Sequence, residues 1–519
     1  MSLLKNFATV GGATATSRLL GFVRDVFIAG ALGTGPIADA FFVAFRFPNL
    51  FRRLFAEGAF NSAFVPLYAR ALEGEGEAAA RKFGEEALSM LLTSLLIFTA
   101  IAEITMPILM FVMAPGFVSD PEKFDLTVFL TRIAFPYLGL VSLLAFYSGV
   151  LNARGRFAAA AFAPALLNVV LIAVLLLILA MGWTETPDAG IALTIGTLVG
   201  GVAQLAMVVI AAGRGHALLR LRWPRLTPGV RRLIKLGVPG VLAGGITQIN
   251  IVVGTMIASL APGAVSYLYY ADRLYQLPLG IVGIAIGVVL LPDLSRQLRA
   301  GRTDVADHTQ NRALEFAMAL TLPSAIALFV MAIPIINVLF QRASFGPSDT
   351  VETAAALAAF AVGLPAFVLI KVFSPGFFAR EDTRTPMWFA GVALVVNIAL
   401  SLALFPFLAH VGIAIATATS AWVNTALLAG TLMRRGQFTP DAALKKRLPL
   451  LLLAALLMGG CLTLAQWQMA PFLADPSLLV RAVAVGILVF GGVVVFAVFC
   501  QLTGAADFKG ALAKVLRRA

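Results

Sequence analysis

The stretch SRLLGFVRD places Arg18, Arg24 and Asp25 within eight residues inside an otherwise apolar run. At about 100° per residue, Ser17, Arg18, Gly21, Arg24 and Asp25 fall within an arc of roughly 120°, so one side of this helix is polar. A second stretch, ADAFFVAFRFPNLFRRLFAEGAFN, lines up Asp39, Arg46, Arg53 and Glu57 on one stripe, with Arg53 and Glu57 four residues apart. The same spacing turns Arg52 elsewhere, although Pro48 is expected to kink the helix and shift the register. A third, YYADRLYQLP, puts Tyr269, Asp272, Arg273 and Gln276 on one face. The guanidinium is a planar fork that stays charged and binds two oxygens at once, so the chemistry these residues suit is capture of a phosphate-like anion. The alternative is a scaffold of buried ion pairs in which Asp25, Asp39, Glu57 and Asp272 serve Arg18, Arg24, Arg53 and Arg273. Buried pairs often gain little over apolar packing, and four of them would be a costly scaffold, so anion binding is the preferred reading.

Bond-making chemistry finds no support in the chain. No DDxxD cluster lies in the apolar segments to hold a divalent cation, and His216, His308 and His410 are scattered. Cys461 and Cys500 both sit in apolar runs, with no disulfide framework and no metal-ligand spacing. No catalytic residue, metal or cofactor is therefore expected.

The elements that carry these charges are membrane helices. Of 519 residues, 60% are hydrophobic and only 13% charged, with mean hydropathy +0.93, whereas soluble domains carry about a quarter charged residues. A span needs about 20 mostly apolar residues, and fourteen such stretches follow one another from 5–32 to 477–504. The expected fold is an all-α polytopic membrane protein. The first stretch runs into charges rather than a small-residue cleavage site, so it is expected to remain as an anchor.

The net charge of +13 is distributed by side, not gathered in a basic domain. With the N-terminus inside, the cytoplasmic loops and the helix ends beside them hold 28 of the 39 Lys and Arg, the opposite loops hold Lys123 and Arg342, and nine lie within spans. That is the positive-inside pattern, which places both termini in the cytoplasm and leaves no nucleic-acid partner to invoke. An Arg or Asp at mid-span costs about 2.5–3.5 kcal/mol against lipid, so the charged faces must meet water or one another. Lys371, Arg132 and Arg481 lie near span ends, where a long side chain reaches the interface; Glu103 lies deeper.

The chain also repeats. GVLNARGRF from Gly149 is matched by GFFAREDTRTP from Gly376, Asn168 by Asn397, Gly35 by Gly263 and Pro66 by Pro292, at offsets of 227, 229, 228 and 226 residues. Spans 1–6 and 7–12 thus read as two copies of a six-helix unit, a parallel repeat of the transporter type, with a binding site at the interface of the halves. The expected organisation is an N-terminal lobe over 1–215, a C-terminal lobe over 228–435, helices 13 and 14 over 442–506, and a basic cytoplasmic tail over 507–519.

The motifs SRLLGFVRD, ADAFFVAFRFPNLFRRLFAEGAF, FVPLYA, GVLNARGRF and ADRLYQLPLGIVGIAIGVVLLP resemble the MurJ (MviN) family, within the multidrug/oligosaccharidyl-lipid/polysaccharide exporter superfamily. The resemblance covers nearly the whole chain. It implies two six-helix lobes around a V-shaped cavity, and a flippase for lipid II, the undecaprenyl-pyrophosphate-MurNAc-pentapeptide-GlcNAc precursor of peptidoglycan, in the bacterial cytoplasmic membrane. It implies further that Arg18, Arg24, Arg52 and Arg273 line the cavity and that Asp39 matters. It selects Arg52 where helical spacing selects Arg53. Helices 13 and 14 become a groove for the lipid tail. Membrane lipids and other cell-wall synthesis proteins are the remaining partners implied. Two positions depart from some relatives: Gln276 stands where they carry an acid, and helix 11 offers Asn397 and Ser401, with Thr417 nearby, where sodium-binding relatives have a carboxylate.

The expected activity is therefore export by alternating access, coupled to the membrane potential or to an ion, with Ser17, Arg18, Arg24, Asp25, Asp39, Arg52, Arg53, Glu57, Arg273 and Gln276 forming the substrate site. A drug antiporter or another lipid-sugar flippase shares the architecture, but the cluster of arginines disfavours cationic drugs. A polyprenyl-phosphate transferase or phosphatase would need the acids or the nucleophile that the spans lack.

Overall fold

The computed structural model describes residues 3–53 and 61–505. Glu57 and the basic tail from 507 lie outside the described residues. Helices make up most of the described chain and no strand occurs among these residues. In order they are α1 (Leu3–Leu32), α2 (Pro36–Phe51), α3 (Asn61–Gly74), α4 (Glu77–Met113), α5 (Pro121–Ala134), α6 (Tyr137–Ala153), α7 (Ala158–Met181), α8 (Pro187–Arg214) and α9 (Pro228–Ala258). There follow α10 (Ala264–Arg299), α11 (Thr303–Val330), α12 (Ala332–Phe340), α13 (Pro347–Phe378), α14 (Arg384–Arg434), α15 (Ala442–Gln468), the short α16 (Ala470–Leu473) and α17 (Leu478–Thr503). Each expected span falls on one of these helices, on a consecutive pair such as α5 and α6, or on half of α14. Ala409, at φ 43° and ψ −128°, breaks α14 into two helices where the sequence places a short loop. Nine helices among the described residues are long and apolar enough to cross a membrane by composition. Neither α1 nor α10, which carry the intramembrane charges, is one of the nine.

The chain divides into two compact units. The first holds residues 1–266 with 342–346, and the second holds 267–341 with 347–519. The repeat assigns α9 to the second copy, yet α9 is part of the first unit. Its contacts explain why. Gly229 lies against the Phe83 ring, Thr227 Oγ1 donates to Glu86 at 2.8 Å, and Gly116 N–H donates to Ser259 Oγ at 3.0 Å. Gly116 has to be glycine there, because a Cβ would come within 2.2 Å of the Ser259 carbonyl oxygen.

The first unit is cored by aromatic rings. Phe47, Phe51, Phe98 and Phe135 form one cluster, and Phe64, Tyr68, Phe83 and Phe146 another. Such pairs each add about 0.5–1.5 kcal/mol beyond area burial. At one end Gly33 turns the chain out of α1 with φ +60°, close against the Ser344 carbonyl.

In the second unit Val282, Ile286 and Leu290 of α10 pack on Met318, Val372, Phe373, Leu428 and Leu432. A separate cluster joins α15 and α17 to α11 through Leu451, Ala455, Met458, Leu488 and Phe496, with Ile326 and Val330 against it. Gly459 belongs to that packing, since a Cβ there would lie 2.6 Å from Ile326 Cγ2. Gly460 and Gly486 face open space instead.

Candidate anion-binding site

The polar side of α1 forms as its spacing dictates. Arg24 and Asp25 are buried, at 7% and 2% exposure, while Arg18, nearly two turns earlier, is exposed and Ser17 is half-buried. Adjacent residues on a helix point about 100° apart, yet the long Arg24 side chain folds back, its Nη2 donating to Asp25 Oδ1 at 2.6 Å and its Nε at 3.1 Å. Its Nη1 donates to Asn168 Oδ1 on α7 at 3.0 Å, and Asn168 Nδ2 donates to the Ser17 carbonyl at 3.0 Å. Gly21 makes the room: a Cβ would sit 3.5 Å from Asn168 Nδ2, so a larger side chain would displace the amide. One asparagine thus fixes both the arginine and the helix that carries it. The sequence offered a signal for it, a single amide in the run FAPALLNVVLIAVLL, but used it only as a landmark of the repeat.

Asp39 does not join this group. It is fully buried, and its Oδ2 accepts from Lys123 Nζ at 2.7 Å and from Gly263 N–H at 3.0 Å. Its Oδ1 accepts from the Ser266 N–H at 3.0 Å and from Ser266 Oγ at 2.7 Å. A carboxylate at the N-terminus of α10 meets unpaired backbone donors and the positive end of the helix dipole. Lys123, counted from sequence as an outer-loop cation, lies over the Phe117 ring at 3.9 Å and is buried as the partner of Asp39. The alternative in which Asp39 serves one of the arginines gives way to a pairing with Lys123 and with the start of α10.

Along α2, Arg46 donates to Thr255 Oγ1 at 2.7 Å. Arg52 is half-buried, with Nε donating to Asn49 Oδ1 at 3.0 Å, and Arg53 is exposed. Both lie in a π-helical turn beyond Pro48. A π turn inserts an extra residue, which moves every later side chain around the axis, so uniform spacing cannot rank these two arginines. Glu57 lies outside the described residues.

In the second unit, on α10, the Arg273 guanidinium lies 4.7 Å from the Tyr269 ring centre and donates to its hydroxyl at 2.9 Å. Asp272 accepts from Gln276. Asn397, the repeat's counterpart of Asn168, accepts from Ser401 at 3.4 Å and Thr417 at 3.5 Å. The described residues contain no group of three His, Cys, Asp or Glu side chains placed to hold a metal ion. What these groups can do is hold oxyanions by charge-assisted hydrogen bonds, with no reacting atoms.

A family model described as "Lipid II flippase MurJ" matches residues 28–483. A "Probable lipid II flippase MurJ" of Rhizobium meliloti (strain 1021) is 51% identical over 97% of this chain and 95% of its own. A "Lipid II flippase MurJ" of Burkholderia cenocepacia is 35% identical over 89% of each chain. Among solved structures, "Lipid II flippase MurJ, inward closed conformation" superposes with a TM-score of 0.79 at 25% identity, covering 95% of this chain and 98% of that one. A multidrug resistance MATE family transporter in an inward-facing conformation matches at a TM-score of 0.64 over 81% of this chain and 95% of that one; at 15% identity it speaks for the fold alone. With the family model matched over residues 28–483 and relatives 51% and 35% identical over 97% and 89% of its length, the chain belongs to the MurJ family.

Proposed function

We propose that the protein moves lipid II from the inner to the outer leaflet of the bacterial cytoplasmic membrane by alternating access, for cell-wall synthesis. Family membership supplies the substrate class, and the observation that carries the mechanism is the Arg24 guanidinium held between Asp25 and Asn168 on a polar helix face. A pyrophosphate arriving at that face exchanges with Asp25 for the fork of Arg24, and exposed Arg18 adds a second donor set. Arg52, on α2 of the same unit, is assigned to the same anion. No bond is made or broken, so no cofactor is required.

Coupling to the membrane potential or to an ion accompanies this reading. An anion leaving an inside-negative cell gains about 2.3 kcal/mol per charge per 100 mV, which supports export without a further energy source. The charge bias favours both termini in the cytoplasm. Cysteines introduced at Thr186 and at exposed Arg225 should label from outside and inside respectively; the reverse pattern refutes this orientation. The function itself is tested by depleting the protein in its source bacterium with a side-specific assay of lipid II. Accumulation in the inner leaflet is expected, and an unchanged distribution refutes the assignment.

A further inference from the structure

The connection between α8 and α9, GHALLRLRWPRLTPG from Gly215, is a strap fixed across the first turns of α4. Arg81 Nη2 donates to the Leu218 carbonyl at 3.5 Å, Arg220 N–H to Glu85 Oε1 at 3.3 Å, and Arg222 N–H to Ser89 Oγ at 2.8 Å. Arg222 Nε donates to Glu85 Oε2 at 2.5 Å, and buried Leu219 packs beside Gly84 and Tyr68. Anchored in this way, the strap turns outward both its large apolar side chains and its cations. Leu221 is 63% exposed, Trp223 82% and Leu226 54%, with exposed Arg220, Arg222 and Arg225 between them.

The helix beneath gives the depth. The exposed apolar face of α4 runs from Leu96 to Val112, about 24 Å at 1.5 Å per residue, which matches most of a hydrocarbon core about 30 Å thick. Ser89, where the strap is tied, lies about 10 Å before Leu96 on the same scale. That is the headgroup layer. Tryptophan, leucine and arginine interleaved at this level are the composition of an interfacial anchor. Beside the strap is a cavity of about 290 Å³ lined by Arg81, Arg154, His216 and Leu218, with Glu77 as its one acid. Arg154 is taken by Glu77 at 2.6 Å and by Tyr68 at 3.2 Å. Arg81 pairs with Glu85 through Nε at 3.3 Å yet stays half exposed, and His216, also exposed, lines the cavity with φ +52°.

We propose that this cavity and strap form a second lipid site, separate from the transport site, which takes the phosphate headgroup of an acidic glycerophospholipid from the surrounding leaflet. Arg81 and the His216 imidazole contact the phosphodiester, and Trp223, Leu221 and Leu226 lie among the upper acyl chains. The exposed apolar residues favour a lipid over a soluble phosphate, and the excess of cations favours an acidic headgroup over a zwitterionic one. The leaflet rests on the topology proposed above, whereas the site itself does not depend on lipid II being the cargo.

The test is binding of dihexanoyl phosphatidylglycerol to the full-length protein in neutral detergent, with dihexanoyl phosphatidylcholine and inorganic phosphate as comparators. At least tenfold tighter binding of the phosphatidylglycerol is expected. Arg81→Gln should lower that preference at least fivefold. Arg81 also anchors the strap, so His216→Asn provides a variant whose new side chain tolerates positive φ; it should lower the preference at least threefold at an unchanged melting temperature. Arg18→Ala, whose exposed side chain is not needed for packing, should keep the preference, which separates this site from the transport site. Equal binding of the two lipids overturns the proposal. So does inorganic phosphate binding as tightly as the phosphatidylglycerol, or a preference lost in Arg18→Ala but kept in His216→Asn.

Discussion

Asp39 and Lys123 form an ion pair at 2.7 Å in which the aspartate side chain is fully buried and the lysine only 8% exposed. The pair sits where α10 begins, so the carboxylate serves a lysine, two backbone N–H groups and a serine hydroxyl together. Removing one partner of such a pair leaves the other charge buried and uncompensated, which costs about 3–5 kcal/mol. Asp39→Asn and Lys123→Met are each expected to lower the melting temperature in detergent strongly, and the double variant to recover part of the loss. A double variant as unstable as the sum of the singles would show that the two residues act independently.

Arg18 and Arg24 separate by the same logic. Arg18 is exposed, so Arg18→Ala should insert and melt like the parent while losing a charge-assisted contact worth about 1.5–3 kcal/mol, roughly ten- to a hundredfold in lipid II affinity. Arg24 is buried on Asp25, so Arg24→Ala leaves an orphaned carboxylate and should lose stability as well as binding. Spacing alone suggests that both arginines are dispensable for folding; the Asn168 and Asp25 contacts limit that expectation to Arg18. Melting temperature and lipid II binding measured on both variants, with Arg24→Ala/Asp25→Ala added, check it. The double variant should regain stability but not affinity.

The helices expected to form the tail groove carry Gly459, Gly460 and Gly486, and the packing divides them. A leucine at 459 meets Ile326 and should destabilise by about 1–3 kcal/mol through overpacking. Leucine at 460 or 486 enters open space, should leave the melting temperature unchanged, and should weaken lipid binding if the groove holds the tail. Normal transport in both of these variants removes the groove from the mechanism.

One source of acid sensitivity should be the loop before α14. The Thr385 backbone N–H, followed by the Arg435 guanidinium and the Thr385 hydroxyl, holds the Asp382 carboxyl down to about 2. Its ordinary value is about 3.9. A group depressed on folding stabilises fully above the unfolded value, and that contribution disappears as pH falls through the folded one. Stability from this contact should therefore decline between about pH 4 and pH 2. Asp382→Asn should flatten that part of the profile; an identical acid slope in the variant would place the sensitive group elsewhere.

Much of this was legible from local spacing. The polar arc of α1 follows from five residues read at helical period, and the all-helical polytopic architecture follows from apolar run length. The contacts that fix the site were less accessible because they join distant positions: Asn168 lies 144 residues from Arg24, and Lys123 84 residues from Asp39. On α2 the failure was local. Arithmetic that assumes 3.6 residues per turn does not survive a proline at 48 and a π turn at 52–53. The assignment of α9 to the first unit was hidden for another reason: a repeat records descent, whereas packing records which surfaces fit.

Asn168 and Asn397 stand 229 residues apart at matched places in the sequence pattern. One now steadies a cation, and the other gathers two hydroxyls. The same side chain, at matched places in the sequence, thus serves opposite electrostatic ends: one amide oxygen accepts from a charged guanidinium, the other from neutral hydroxyls, so a match in sequence spacing is no guide to the local charge.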